Sequence, residues 1–409
     1  MRRVVVTGIG VITPIGVGKE AFCRGLKRGT SGVGPISRFD TSSFSVKIAA
    51  EVKDWPPEDY PESDFLSLDR FIQFALVASH QAISDVRIKI DGSTRKRMGV
   101  LISSSKGGME TFEKVNKALI EKGPSETPPA FISNFLPSGA SSLVAERLKS
   151  KGPISNVVSA CATGTHSIMR AAELIKEGQA EVMLAGSSEA SITPLILAGF
   201  SRMGVLSKRN KGTPSPFDKE RDGFVIGEGA GVVVLESLEH ALIRGTHIYG
   251  EIAGYAWGAD AHHMTHFSLC GDSIAWVIKG ALNKAGLFSS DLDYINAHGT
   301  ATQQNDRVET LALKKALGRD VYSIPISSTK SMTGHLLGAA GSVEFIACLL
   351  ALERNFIPPT INYQHPDPDC DLDYTPNKAR EKEIENAISL SFGFGGHIGA
   401  LIVKKMTVR

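Results

Sequence analysis

The sequence has little of several features that mark specialised classes of protein. It contains only five cysteines in 409 residues, an odd number without C-x-x-C spacing, which argues against a disulfide framework and a zinc site. Its formal net charge is only +2. Such a balance lacks the broad basic surface that binding to nucleic acid or to an anionic membrane requires. We therefore expect a protein of the reducing cytoplasm that binds neither partner.

Long hydrophobic runs are also absent. No window reaches about 18 uninterrupted apolar residues, since even residues 336–352 contain Glu344 and several glycines. At the N-terminus, two arginines lead into a short apolar run that Gly8 interrupts, which is too short for a signal peptide. We expect a buried strand there, no export and no membrane span. Hydrophobic residues make up 42% and charged residues 22%, a typical globular balance that excludes a disordered or collagen-like chain.

An alternation of strand, tight turn and helix indicates an α/β fold. Four apolar, β-branched runs end in small residues that open a helix-like segment, at residues 99–105, 156–161, 294–299 and 324–330. The first and third lead into helices of similar character, and the second and fourth into helices rich in small residues. This order predicts a duplicated βα arrangement.

Two halves of such an arrangement would meet near residue 250, giving units of residues 1–250 and 251–409 without a linker. Residues 54–62 and 123–129 are the most loop-like insertions, and we expect both at the surface. Gly8 and Gly10 follow a strand, but Thr13 stands where a dinucleotide fingerprint needs its third glycine. Nucleotide binding is therefore not predicted.

Cys161 is the candidate nucleophile. It ends a β-branched run just before a helix-like segment, so it should lie on a sharp turn at a helix N-terminus. Unpaired backbone N–H groups and the helix dipole favour a thiolate there and can stabilise an oxyanion on an attacked carbonyl. The other four cysteines are interpreted as small buried hydrophobic residues.

His298 and His335 each follow a predicted strand and lie among Gly, Thr and Ser. If their strands are neighbours, the carboxyl ends of the strands bring both histidines and Cys161 to one rim of the sheet. One thiolate and two imidazoles suit acyl transfer with a carbanion step, because imidazoles can donate hydrogen bonds to a developing enolate. Lys330 and Glu344 flank His335 and are interpreted as a buried ion pair that organises the site.

Two further segments bear on the site. The glycine run at residues 393–396 follows an apolar strand, and such a run permits close approach of the backbone to a ligand and hinge motion. The histidines His262, His263 and His266 lack carboxylate or cysteine partners at ligand spacing, so we expect solvated loop residues and no metal site.

With these residues in view, the sequence resembles the β-ketoacyl-acyl-carrier-protein synthases, most of all the synthase II branch, nearly from end to end. The motifs that carry the resemblance are VVVTGIG at residues 4–10, SACATG at 159–164, PFDKERDGF at 216–224, NAHGTAT at 296–302, STKSMTGH at 328–335 and GFGG at 393–396. The resemblance implies a thiolase-like α/β fold, with duplicated βαβαβαββ halves in a five-layer α-β-α-β-α arrangement, and a homodimer.

The resemblance also implies a reaction. Cys161 would take an acyl chain from an acyl-carrier protein, with the amides of Cys161 and Phe394 as oxyanion hole. His298 and His335 would then hold the thioester of malonyl-carrier protein while decarboxylation generates a carbanion that attacks the acyl-enzyme. No metal or nucleotide takes part, and the substrates are carried on the phosphopantetheine of the carrier protein. The product is a 3-oxoacyl thioester longer by two carbons.

Further roles follow from the same resemblance. Lys330 and Glu344 would order the site, Phe394 would gate it, and Asp260 begins a segment similar to the second gating loop of the family. The residues expected to contact substrate or its phosphopantetheine arm are Thr300, Thr302, Phe392, Gly393, Gly395, Asp260 and His263. A degradative thiolase would need a second cysteine where this chain has Phe394 and His397, and a non-catalytic partner subunit would lack Cys161.

Some positions depart from the family pattern. His397-Ile398 replaces the usual Thr-Asn, which removes polar groups near the pocket and adds an imidazole. Basic residues usual in the family are missing from residues 62–67 and 123–126, and Gly204 stands where an arginine is common. Since carrier proteins are acidic, this weakens the docking surface, which Arg202, Lys208 and Arg209 would partly supply. A ketosynthase of a specialised lipid or polyketide pathway, with a dedicated carrier, therefore remains the alternative to fatty-acid elongation.

Overall fold

A computed structural model describes residues 2–57 and 64–406. The strands of the described residues are β1 (Val4–Thr13), β2 (Gly16–Val17), β3 (Gly34–Pro35), β4 (Ile48–Ala49), β5 (Met98–Ser103), β6 (Val182–Glu189), β7 (Gly229–Ser237), β8 (Gly250–Ala259), β9 (Tyr294–Asn296), β10 (Ile326–Ser327), β11 (Phe356–Ile357), β12 (Arg380–Glu381), β13 (Asn386–Gly393) and β14 (His397–Lys404). The α-helices are α1 (Lys19–Arg28), α2 (Arg70–Val86), α3 (Gly92–Arg97), α4 (Met109–Lys122), α5 (Phe131–Phe135), α6 (Gly139–Leu148), α7 (Thr163–Lys176), α8 (Pro194–Met203), α9 (Leu238–Arg244), α10 (Asp272–Ala285), α11 (Gln303–Leu317), α12 (Lys330–Thr333) and α13 (Ala340–Arg354).

The main sheet has the same strand pattern twice. Its order is β10-β9-β13-β14-β8-β1-β7-β6-β5. In the first half β5 pairs with β6 in parallel, and β6-β7-β1 continue antiparallel. In the second half β9 pairs with β13 in parallel, and β13-β14-β8 continue antiparallel. The halves join where Val5 and Val6 of β1 pair with Glu251 and Gly250 of β8. The predicted duplication is therefore confirmed.

The two halves of the main sheet form two layers of strands. One layer of helices lies between them and one lies on each outer face, which gives the five-layer arrangement. The central layer consists of α7 and α13, and α13 is buried over nearly its whole length because it is apolar on all sides. On the outer face of the first half lie α2 and α6, whose apolar residues form one core with β5, β6 and β7. On the outer face of the second half lie α10 and α11, which form a separate core with β9, β13 and β14. The central layer thus supports elements from both halves at once.

The structure corrects some local predictions. Residues 156–160 do not form a strand; the chain is extended beside β5, with a single parallel bridge between Ile154 and Val100. This segment lies at the edge of the sheet, where Ile154 and Val158 are 50% and 55% exposed, so its β-branched residues do not mark a central strand.

The two predicted loop insertions have different outcomes. Residues 123–129 are exposed or partly exposed and contain one short 3-10 turn at Pro124–Glu126. In the other insertion Trp55 packs against Phe74 with ring centroids 4.6 Å apart and donates a hydrogen bond to Gln73, so this part is anchored. Asp54 and Pro56 are exposed, as predicted, and residues 58–62 of this insertion lie outside the described residues. The division of the chain at residue 250 stays a prediction.

In residues 2–57 and 64–406, no helix combines the length and apolar character that a bilayer-spanning segment needs.

Candidate active site

The parallel strands bring the candidate residues to one rim. In the second half β9, β10 and β13 are parallel to one another, and they end at Asn296, Ser327 and Gly393. The segments that follow them carry the histidines and the glycine run. The carboxyl ends of parallel strands are where α/β sheets place their ligands. Cys161 reaches the same rim from the first half, at the end of the extended segment beside β5.

Cys161 lies on a tight turn that leads directly into α7. The turn is a 3-10 turn at Ala160–Ala162, and Ala160 has a positive φ of 50°, a sparsely populated conformation. Thr163 holds this turn in place: its hydroxyl donates to the carbonyl of Ala160 at 2.7 Å and accepts from the N–H of Ser159 at 3.0 Å. The local sequence thus fixes the thiol at the N-terminal end of a buried helix.

Gly393 closes the other side of this turn. A Cβ at this position would stand 2.4 Å from the carbonyl oxygen of Ser159 and 3.2 Å from the amide nitrogen of Cys161. Only glycine therefore allows the end of β13 to approach the turn so closely. Among the described residues, the backbone N–H groups of Cys161 and Phe394 have no hydrogen-bond acceptor. Both groups are available to a carbonyl oxygen of a ligand, as an oxyanion hole requires.

The protonation state of Cys161 differs from the sequence-based expectation. Burial raises the pKa of the Cys161 thiol, while the nearby charges of Lys106 and Lys330 act to lower it. Burial outweighs the cations, so the resting group is a thiol and the expected thiolate is not the resting form. The prediction considered only the helix N-terminus, whereas the desolvation that raises the pKa comes from the tertiary fold.

His298 is held by a buried carboxylate. Glu309 of α11 accepts the backbone N–H of His298 at 2.7 Å and that of Gly299 at 2.8 Å. Burial raises the pKa of Glu309 to about 7, against the lowering effect of these two hydrogen bonds. Gly299 has a positive φ of 39°, and it permits the turn that directs the imidazole into the site.

His335 is fixed through its backbone and its ring. Its N–H donates to the carbonyl of Val225 at 2.7 Å, and its Nδ1 accepts the N–H of Leu337 at 3.2 Å. Since Nδ1 is an acceptor in this arrangement, the proton of the neutral ring is assigned to Nε2. The rings of His335 and His298 meet edge to face, with centroids 5.5 Å apart.

Lys330 and Glu344 form the expected buried ion pair beside His298. The two side chains are in direct contact, and both are nearly inaccessible to solvent. The Lys330 ammonium also lies 3.4 Å from Nδ1 of His298, so this nitrogen is an acceptor and its proton is assigned to Nε2. Burial and the charge of Lys330 hold the pKa of both His298 and His335 well below the usual value. At neutral pH both rings are therefore neutral hydrogen-bond donors.

One cavity of about 290 Å³ contains the reactive groups. Its lining includes Cys161, His298, His335, Thr300, Thr302, Phe392, Gly393 and Phe394, which agrees with the sequence-based set. Lys330 and Glu344 lie behind the histidines and do not line it. Three predicted contact residues, Asp260, His263 and Gly395, do not line it either. Their place is taken by Thr265, His266 and Phe267, because the segment turns toward the cavity only after His263.

The two predicted gating segments are bonded to each other. The N–H of Gly395 donates to the carbonyl of Met264 at 2.7 Å, and the N–H of Asp260 donates to the carbonyl of Gly396 at 2.9 Å. The side chain of His263 is exposed, as expected for a solvated loop residue. Asp260 and Gly395 thus connect the loops with each other instead of contacting the cavity.

The unusual residues after the glycine run also lie off the cavity. His397 is partly buried and packs edge to face with His166 of α7, with ring centroids 6.3 Å apart. Burial lowers the pKa of His166 to about 4, and its Nε2 lies 3.2 Å from the carbonyl oxygen of Ile398. His397 and Ile398 do not line the cavity, so the exchange affects the packing and hydrogen bonding beneath the glycine run and not the cavity wall itself.

The predicted docking cations lie beside the cavity mouth. Met203 and Gly204 line the cavity, and the neighbouring Arg202 is exposed. Lys208 is exposed as well. Arg209 is less free, because its guanidinium bonds with Asp222 at 3.2 Å and with the hydroxyl of Ser215.

Sequence reasoning missed two residues that organise the site. One is Glu309, which holds the backbone of His298. The other is Arg221, a buried residue that donates to the carbonyls of Thr302 at 3.2 Å and Gln303 at 3.0 Å and pairs with Asp367. Arg221 belongs to the PFDKERDGF motif, for which the resemblance implied no role for any residue. Glu309 had no local signal, because a single glutamate on a helix is usually solvated.

Fold and site together define an acyl-transferring condensing enzyme with a thiolase-like architecture. Two family models match the chain: Beta-ketoacyl synthase, N-terminal domain, over residues 1–241, and Beta-ketoacyl synthase, C-terminal domain, over residues 249–364. The chain belongs to the β-ketoacyl synthase family.

Individual relatives cover almost the full chain. It is 46% identical to a 3-oxoacyl-acyl-carrier-protein synthase 2 from Synechocystis sp., over 99% of this chain and 98% of the relative. It is 42% identical to the protein of the same name from Staphylococcus aureus, over 99% of this chain and 98% of that relative.

Solved structures agree with this assignment. The ketosynthase of a type II polyketide synthase, in complex with its acyl-carrier protein and bound to the hexaketide, has a TM-score of 0.92 and 38% identity, over 99% of this chain and 100% of that chain. A β-ketoacyl synthase from Burkholderia phymatum has a TM-score of 0.91 and 34% identity, over 100% of both chains.

Proposed function

We propose that this protein is a 3-oxoacyl-acyl-carrier-protein synthase that extends acyl chains by two carbons in fatty-acid elongation. The observation that carries the proposal is that one cavity is lined by both Cys161 and the neutral imidazoles of His298 and His335. Each imidazole carries its proton on Nε2. The high identity to synthases 2 over the full chain supports the same reaction.

In the first half-reaction the sulfur of Cys161 attacks the thioester carbonyl of an acyl-carrier protein. The carbonyl oxygen takes up negative charge between the N–H groups of Cys161 and Phe394. As the tetrahedral intermediate collapses, the carbon–sulfur bond to the carrier breaks. The thiol of the phosphopantetheine leaves with the proton that Cys161 gives up, and the acyl group stays on Cys161.

In the second half-reaction malonyl-carrier protein enters the same cavity. His298 and His335 donate their Nε2–H groups to its thioester carbonyl, which stabilises the enolate that forms as the bond to the carboxylate breaks and carbon dioxide leaves. The enolate carbon attacks the acyl carbonyl on Cys161, a carbon–carbon bond forms, and the Cys161 sulfur departs as a thiolate. This thiolate takes up one proton from solvent, which restores the resting thiol. These groups supply what the reaction needs, so we propose that it runs without a bound metal or other cofactor.

The carrier protein and the assembly belong to the same proposal. Thr300 and Thr302, whose hydroxyls are 3.0 Å apart at the cavity wall, would hold the phosphopantetheine arm. Arg202, Lys208 and Arg209 would attract the acidic carrier at the mouth. We further propose a cytoplasmic homodimer, in which the exposed edge beside β5 is covered by a second copy.

Intact-protein mass spectrometry tests the reaction. Wild type and Cys161→Ala are incubated with acyl-carrier proteins loaded with chains from four to eighteen carbons. We expect an acyl adduct on wild type only, and we expect His298→Ala and His335→Ala to form the adduct but to release no 3-oxoacyl product. Acylation of Cys161→Ala at another residue would refute the nucleophile assignment.

A specialised ketosynthase is the second candidate, because the structure is also close to that of a polyketide ketosynthase. Adducts from ordinary saturated acyl carriers favour fatty-acid elongation. Adducts only from a dedicated carrier favour the specialised pathway.

A further inference from the structure

A lysine that the reaction does not use lies beside the reactive groups. Lys106 stands in the turn between β5 and α4 and is partly buried. Its charge acts to lower the pKa of Cys161 and of His335. The mechanism above assigns it no role, although an ammonium near an acyl-binding cavity is costly to desolvate.

The surroundings of Lys106 are polar. Its ammonium lies 2.9 Å from the hydroxyl of Ser105, whose N–H and hydroxyl in turn bond with the buried carboxylate of Glu189. The chain just after His335 packs against this cluster, since a Cβ at Gly338 would stand 2.4 Å from the Glu189 carboxylate and 2.8 Å from the amide nitrogen of Ser105. The polar cluster is therefore part of the wall behind the histidines.

Glu189 reaches Lys106 only through the hydroxyl of Ser105, without a direct ion pair. Its carboxylate is occupied by serines, with Ser191 at 2.7 Å and the N–H of Ser105 at 2.9 Å. Within residues 2–57 and 64–406, no carboxylate comes within 4 Å of the Lys106 ammonium. One of its three donors has the Ser105 hydroxyl as acceptor, which leaves two for a ligand.

Phe200 connects this ammonium to the cavity. The phenyl ring of Phe200 lines the cavity, and the Lys106 ammonium lies 5.8 Å from the centre of the ring. Lys106 itself does not line the cavity, so an acyl chain on Cys161 would have to extend past this ring to approach the ammonium. A hydrocarbon segment there would remove water from the ammonium without replacing its hydrogen bonds, whereas a carbonyl or carboxylate oxygen would replace them.

We infer that Lys106 makes this protein select acyl groups that carry an oxygen acceptor beyond the thioester carbonyl over hydrocarbon chains of similar length. The inference rests on the proposed condensing reaction, because it concerns the chain that Cys161 accepts. Of the two candidate pathways it favours the specialised ketosynthase, since fatty-acid elongation supplies hydrocarbon chains. The chemistry recognised is a ketone or carboxylate oxygen, and Lys106 acts as a specificity-determining residue of the acyl-binding wall.

Acylation rates with length-matched carriers test this selectivity. Carrier protein is loaded with hexanoyl, 5-oxohexanoyl or glutaryl groups, and the Cys161 adduct is followed by mass spectrometry. We expect wild type to react at least tenfold faster with one or both oxygenated chains than with hexanoyl. If only glutaryl reacts faster than hexanoyl, the group recognised is a carboxylate. If both oxygenated chains react faster, the group recognised is a hydrogen-bond acceptor.

Variants at Lys106 assign the selectivity to its charge. Lys106→Met keeps the length of the side chain and should reduce the ratio of oxygenated to hexanoyl acylation rates to below twofold. Lys106→Arg should keep a preference for the oxygenated chains. Lys279→Met serves as the matched control, since Lys279 is an exposed lysine of α10 on the outer layer, and it should keep the wild-type ratio.

Three results would overturn the inference. The first is a wild type that is acylated faster by hexanoyl than by both oxygenated chains. The second is a ratio of oxygenated to hexanoyl acylation rates that Lys106→Met leaves unchanged. The third is that Lys106→Met slows acylation equally with all three chains and shifts its pH profile, which would make Lys106 a modulator of the thiol alone. A wild type that forms no adduct at Cys161 with any acyl carrier would instead refute the proposed function, so the two failures are distinguishable.

Discussion

The ammonium of Lys330 lies 3.4 Å from Nδ1 of His298 and contacts the Glu344 carboxylate as an ion pair. A cation in this place keeps His298 neutral, since its charge adds to burial in lowering the pKa of the imidazole. It also fixes the tautomer, because Nδ1 must accept a hydrogen bond. The neutral Nε2–H that the condensation step needs is thus set by a residue that does not line the cavity.

Replacing Lys330 should therefore shift the pH dependence of condensation. In Lys330→Met the pKa of His298 rises, so the ring becomes charged at a higher pH and the acid limb of the rate profile moves upward. The variant also leaves the buried Glu344 carboxylate without its partner, which should cost about 3 to 5 kcal/mol of stability. The measurements are the pH profile of 3-oxoacyl release and thermal unfolding.

A double variant separates these two effects. Lys330→Met combined with Glu344→Leu removes both charges, so it should recover most of the lost stability. The displaced acid limb should remain, because His298 still lacks its cation. A normal pH profile in either variant would show that Lys330 does not control the protonation of His298.

Glu309 should make stability depend on pH. Its pKa is raised from 4.5 to about 7 in the folded protein. Between these values the native state binds more protons than the unfolded state, so the free energy of unfolding falls as pH rises, by about 3 kcal/mol for this group. The pKa of Glu344 is also raised from 4.5 to about 7, so Glu344 lowers the free energy of unfolding over the same pH range as pH rises. Glu309→Gln should remove the part of this pH dependence that Glu309 contributes. Denaturant unfolding at pH 5 and at pH 8 measures the free energy of unfolding for both proteins.

The same variant should impair condensation. A glutamine offers one oxygen to the two N–H groups of His298 and Gly299, so one of them loses its acceptor. We expect roughly a tenfold lower rate of condensation, with the Cys161 adduct still formed. Equal losses in both steps would mean that Glu309 supports the whole site and not His298 in particular.

Gly393→Ala should disable acylation. The added methyl group would overlap the carbonyl of Ser159 and press on the amide of Cys161, so the turn that carries the nucleophile has to move. We expect at least a 100-fold slower formation of the acyl adduct. Gly199→Ala is the matched control, because Gly199 is exposed on α8 and has no neighbour within 4 Å of an added Cβ. It should acylate normally and gain up to about 1 kcal/mol in stability.

Arg221→Lys should weaken binding of the phosphopantetheine arm. Lysine keeps the charge beside the buried Asp306 and the partly buried Asp367 but cannot reach the carbonyls of Thr302 and Gln303 in the same fork geometry. We expect KM for malonyl-carrier protein to rise about tenfold. Alkylation of Cys161 by iodoacetamide, which needs no carrier, should change by less than twofold; a parallel loss there would indicate general damage to the site.

The sequence by itself determined which residues are the candidate reactive groups and that these residues meet at one rim of the sheet. Strand ends followed by small residues predicted that Cys161, His298 and His335 share one rim, because parallel strands place their carboxyl ends together. The buried charges at Lys330 and Glu344 were predicted as a pair, since they stand near His335 in the chain. Local patterns of this kind are readable because the backbone geometry of strand and turn repeats wherever the same residue types recur.

Only the tertiary structure decided how these groups are tuned. It showed that burial raises the pKa of Cys161, that Glu309 holds His298, and that Asp260 and His263 lie off the cavity. It also placed Lys106 behind Phe200 of the cavity that contains Cys161, a residue 55 positions away in the sequence. Desolvation and charge act through space between elements distant in the chain, so a linear pattern does not contain them.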